Sequence, residues 1–82
     1  MSQPVGYAVA AERINLVVAW YAQELDREAK SRTPSNIRIQ RLMEKRRQCI
    51  ADRNLLRTCG PEEALRLMQE YAEMFRVLTN PS

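Results

Sequence analysis

Apolar residues recur at steps of three and four along three stretches of the chain. Tyr7, Ala11, Ile14, Val18, Tyr21 and Leu25 fall on one face of a helix expected over residues 7–30. In the middle stretch, Ile39, Leu42, Met43, Cys49, Ile50 and Leu56 fall within one arc of about 140° at 100° per residue, which predicts a second helix over 34–57. Ala64, Met68, Tyr71, Phe75 and Leu78 step by four and three through a third helix, 61–78. No stretch alternates as a strand does, and no hairpin turn signal or internal repeat interrupts the series.

The punctuation agrees. Thr33 is placed to cap the second helix, with Pro34 at its first position, where the missing N–H leaves no bond unmade. Gly60 ends the second helix and Pro61 opens the third, whose first turn holds Glu62 and Glu63 where the helix dipole favours acids. Residues 79–82 read as a helix stop and a fraying end. At 1.5 Å per residue the helices are about 36, 36 and 27 Å long. Short connections between them predict an all-α, up-down-up antiparallel three-helix arrangement, a single domain over 1–82.

The first helix is apolar on more than one side. Its core arc holds Tyr7, Ala10, Ala11, Ile14, Val17, Val18, Tyr21 and Leu25. Val9, Leu16 and Trp20 form a second ridge opposite, stepping by seven and four, with Val5 just before it. A helix apolar on two faces is sandwiched within the fold or buried against another molecule. Three occupants are open: the third helix, a second copy of the chain, or a different protein. A tryptophan within an exposed ridge has the composition of a binding hot spot.

Charge is concentrated in the middle. Residues 30–57 carry nine basic side chains against Glu44 and Asp52, whereas the flanking segments are each net −2. Opposite charge on neighbouring helices serves to pair their edges and fix register. The alternative is an electropositive surface for an anionic partner, carried by Arg38, Arg41, Lys45, Arg46, Arg53 and Arg57. Arg46, Arg53 and Arg57 fall near the centre of the apolar arc, where a buried charge is costly unless paired. They have three ways out: to reach past the apolar stems to solvent, to pair with acids of the other helices, or to line an anion pocket.

Composition narrows the chemistry. The chain has 82 residues, 45% apolar and 28% charged, a net charge of +3 and no histidine. A domain this small buries only about 60–65% of the surface its unfolded chain exposes, so self-association is a natural remedy. Without histidine, the commonest general base, every Cys-His pair and the commonest metal ligand are missing. Two cysteines, Cys49 and Cys59, cannot fill a four-ligand zinc site, and they read as reduced structural thiols. The two glycines stand alone, so there is no phosphate-binding loop. No catalytic residues, metal or cofactor are expected.

The apolar run 16–22 is too short to be a signal segment or a membrane span, which predicts a cytoplasmic protein with no membrane partner. The basic segment has no aromatic residue for stacking on single-stranded bases, leaving backbone-level nucleic-acid or phosphate-ligand binding as the alternative. The leading expectation is a non-enzymatic protein-interaction module: a homo-oligomer that acts as adaptor, regulator or inhibitor through Val9, Leu16 and Trp20 and through the arginines. Small helical proteins without catalytic motifs are often encoded by phages or plasmids and act on host proteins.

Overall fold

A computed structural model describes residues 5–80. The described residues form three α-helices packed against each other: α1 (Val5–Ala29), α2 (Asn36–Leu55) and α3 (Pro61–Thr79). Among them no helix is long and apolar enough to cross a membrane.

Most of the expected apolar faces become the core; on α2, Met43 is exposed and Ile39 and Ile50 are only half-buried, because α2 packs almost wholly on α1 and buries a narrower stripe. α1 supplies Ala10, Ile14, Val17 and Tyr21, one per turn, with Tyr7, Ala11, Val18 and Leu25 half-buried beside them. Leu42, Cys49 and Leu56 enter from the middle segment, and Ala64, Leu67 and Tyr71 from α3. No charged or polar residue is fully buried among the described residues. Leu67, absent from the expected α3 stripe, is among the most deeply buried side chains.

The helix ends correct the sequence reading in three places. Ser35, not Thr33, caps α2: its backbone is extended, and its side chain accepts a hydrogen bond from the Arg38 N–H at 3.2 Å. Serine is the better cap of the two, so the helix starts just beyond Pro34 rather than on it. α2 also stops earlier than residue 57, so with 20 residues it is close to the 19 of α3 and does not match the 25 of α1, against the expected two long helices and one shorter. The amides of Leu56, Arg57 and Thr58 bond three residues back, to Arg53, Asn54 and Leu55, which tightens the chain into a turn. Gly60 therefore does not terminate α2. It is the N-cap of α3, at φ −79° and ψ 171°, with Pro61 behind it in the first turn.

α1 packs along both α2 and α3, whereas α2 and α3 meet only in passing. The Cα envelope measures 50 × 26 × 17 Å. Three helices in a tight triangle, with axes 8–10 Å apart, would be only about 15 Å across in each direction. The 26 Å width is therefore that of a splayed arrangement with α1 in the middle. Five polar contacts among the described residues tie it together. The Tyr7 hydroxyl donates to the Cys59 carbonyl at 2.7 Å. Arg53 donates to the Asn15 side-chain oxygen at 2.7 Å. Arg38 reaches Glu28 at 2.9 Å and Glu24 at 3.5 Å. The Tyr71 hydroxyl donates to Asp52 Oδ2 at 2.6 Å.

Candidate functional site

The open side between α2 and α3 is a cleft of about 380 Å³. Its floor is apolar: Tyr21 from α1, Cys49 from α2, and Tyr71 and Met74 from α3. Its α2 wall is a helical stripe, Arg41, Lys45, Gln48 and Asp52, stepping by four, three and four. Glu44 and Glu70 stand on the rims. Both rim acids are already held on their own helices, Glu44 by Arg47 at 2.7 Å and Glu70 by Arg66 at 2.5 Å. Arg41 and Lys45 have no carboxylate within 4 Å among the described residues. Asp52, the third carboxylate of the lining, also has no cation within 4 Å among the described residues and is bound only by the Tyr71 hydroxyl. The cleft thus sets two unpaired cations toward the start of α2 and one carboxylate toward its end over an apolar floor.

Burial pushes the Cys49 thiol above its ordinary pKa, and the nearby Asp52 carboxylate adds to the rise. Burial also raises Tyr71, reinforced by the hydrogen bond to Asp52, and it raises Tyr21. The cleft floor therefore holds a neutral thiol and neutral hydroxyls at physiological pH. A thiol that stays protonated is a poor nucleophile.

The expected basic set does not form one face. Only Arg41 and Lys45 line the cleft. Arg38 is drawn to the acids of α1. Arg53 bonds the Asn15 amide and, with the exposed Arg57, borders a shallow depression beside Tyr7 on the other flank of α2. Arg46 is exposed. None of the three core-seam arginines pairs with an acid among the described residues. Edge pairing between helices is correspondingly slight: Arg38 makes the interhelical ion pairs, and the other pairs are three or four residues apart on one helix or at its end.

The α1 ridge runs along its seam with α3. Val9 and Leu16 share a shallow groove there with Ala72 and Phe75. Trp20 is half-buried against the core and meets the Tyr21 ring edge-on, with centroids 5.2 Å apart. Leu16 keeps 45% of its surface exposed. The side chain of Val5 lies outside the described residues.

Spacing did not single out Gln48, Met74 or the Tyr71–Asp52 contact. The signal available for the contact was a tyrosine on the apolar stripe of α3 facing one of only two acids in the basic segment. Comparison with family models, curated proteins and solved structures finds no match.

Proposed function

We propose that this protein is a small non-enzymatic module that binds another protein, as adaptor, regulator or inhibitor, through the cleft between α2 and α3. The observation that carries this reading is the open cleft itself, apolar below and uncompensated in charge above. In so small a chain every apolar contact counts, yet two helices packed on α1 leave their facing sides apart. An up-down-up course supports the geometry: Tyr7 near the start of α1 meets Cys59 just before α3, and Arg38 early in α2 meets Glu28 late in α1. Self-association belongs to a different face, the α1–α3 seam, where Val9 and Leu16 share a groove with Ala72 and Phe75 and Leu16 stays exposed. The free thiols Cys49 and Cys59 fit a cytoplasmic setting.

The test uses Gln48→Trp, which fills the cleft mouth from an exposed position. Immobilised wild-type and Gln48→Trp proteins are compared for capture from an extract of the producing cells. A protein retained by the wild type and lost with the variant is expected; equal capture by both overturns cleft docking. Light scattering of wild type and Leu16→Glu tests the second face, and a monomer at all concentrations removes self-association.

A second reading, nucleic-acid or phosphate-ligand binding, is favoured by Arg46 and Arg57, exposed and without a carboxylate within 4 Å among the described residues. Titration with labelled duplex at low salt tests it, because backbone binding strengthens steeply as salt falls. No binding at about 50 mM salt removes it.

A further inference from the structure

α1 has two helical neighbours, while α2 and α3 have one each. In a four-helix bundle every helix packs on two neighbours. The place diagonally opposite α1, between α2 and α3, is the one left empty. A second depression of about 320 Å³ continues the cleft toward the start of α2, sharing Arg41 and Lys45 with it and adding Ile37 and Leu42. Together they follow α2 from Ile37 to Asp52, about 22 Å of helix, or four turns. Ile37, 68% exposed, lies along this path.

We propose that this groove takes an acidic amphipathic helix of another protein, lying in the fourth-helix position with its carboxylates on Arg41 and Lys45. The inference rests on the reading of the cleft as a protein-docking surface and adds the chemistry of the occupant. Covering Arg41 and Lys45 removes them from water, which is unfavourable unless the partner brings anions. The cleft's own acids do not serve: Arg47 and Arg66 hold Glu44 and Glu70, and Asp52, bound by the Tyr71 hydroxyl, lies two helical turns beyond Lys45, about 10 Å along α2. A second copy of this chain is a poor donor of those anions. Its Glu24, Glu28, Asp26, Glu63 and Glu73 are engaged by Arg38, Lys30, Arg66 and Arg76, and its middle segment is strongly basic; Glu12 and Glu62, exposed and without a cation within 4 Å among the described residues, stand singly on α1 and α3 and do not make an acidic stripe. The groove gives a helix about four anchor positions at i, i+4, i+7 and i+11.

The experiment is fluorescence anisotropy with two labelled helical peptides of about 16 residues. They share one leucine stripe; one has glutamate on its flanks and the other lysine. The glutamate peptide is expected to bind one per chain, about tenfold tighter than the lysine peptide near 50 mM salt, the scale of two half-exposed ion pairs. That preference should shrink at about 0.5 M salt. Arg41→Glu with Lys45→Glu should abolish or invert it, and Gln48→Trp should weaken binding of both peptides; circular dichroism verifies that both variants keep their helicity. Equal binding of the two peptides, still weakened by Gln48→Trp, overturns the acidic partner and leaves the docking cleft standing. Binding of neither peptide overturns both. A dimer of the chain that Gln48→Trp dissociates makes a second copy the occupant, and capture of duplex DNA in place of the glutamate peptide makes it nucleic acid; each overturns the proposal.

Discussion

Removing one oxygen tests the hydrogen bond that Tyr71 makes from α3 to α2. Tyr71 is 2% exposed, and its hydroxyl donates to Asp52 Oδ2 at 2.6 Å. Tyr71→Phe keeps the ring and its packing and deletes the donor. Hydrogen bonds to charged groups contribute about 1.5–3 kcal/mol. Asp52 is only half-buried, so water recovers part of the loss when the donor is gone. The expected destabilisation is therefore about 1–2 kcal/mol. For a domain of this size that lowers Tm by about 5–15 °C. Urea melts of wild type, Tyr71→Phe, Asp52→Ala and the double variant complete the measurement. The coupling between the two sites should be about 1 kcal/mol or more. Amide protection should fall first in α3, since that helix loses its tie to α2. A coupling below about 0.3 kcal/mol, within the scatter of independent sites, refutes the contact as a stabilising one.

Ile14, fully buried at the centre of α1, should cost about 3–4 kcal/mol as Ile14→Ala, a large part of the roughly 4–12 kcal/mol available to 82 residues, and denaturant melts will read it. Ser35→Ala should cost about 1 kcal/mol in the same melts, whereas Thr33→Ala should be nearly neutral, reversing the order expected from the Thr-Pro pair. Stability should fall in alkali. Cys49, Tyr71 and Tyr21 have folded pKa values above their unfolded ones, so their contribution is complete below the unfolded values and is lost as pH rises. The decline should begin above about pH 8.5 for the thiol and steepen above about pH 10 for the phenols, with Cys49→Ala flattening the first part of a pH series of melts. Arg41→Leu with Lys45→Leu should raise Tm and draw α2 toward α3, visible as a smaller radius of gyration in X-ray scattering.

The helices and most of the core were legible because one face of each helix is buried. Ala10, Ile14, Val17 and Tyr21 cannot avoid sharing a side of α1, whatever packs there. Which of two overlapping stripes is buried was less legible. Residues 64, 68, 71, 75 and 78 satisfy helical spacing, and so do 64, 67, 71, 74 and 78. The structure buries Leu67 fully and leaves Met68 at the margin, a choice made by the neighbour's position and not by α3 alone. Arg53 was legible as a conflict, a charge at a core position, but its resolution depended on Asn15, 38 residues away. The candidate site was the least legible part. A periodicity belongs to one helix, and a cleft belongs to the distance between two.

That distance nevertheless has a cause in the sequence. The side of α2 that looks toward α3 is Arg41, Lys45, Gln48 and Asp52, polar at every turn. Closing the cleft would press Arg41 and Lys45 against Tyr71 and Met74, with Glu70 as the nearest acid on α3 and Arg66 already holding it. The effective penalty for desolvating an unpaired ion is several kcal/mol, and here there are two. The compensating gain is the rest of Met74, already half-buried, and a strip of Tyr21, together about 2 kcal/mol at most. The balance keeps α2 and α3 apart and leaves Tyr71–Asp52 as the clasp between them. The same two cations that hold the cleft open select what closes it: a surface that is apolar enough for the floor and brings its own negative charge.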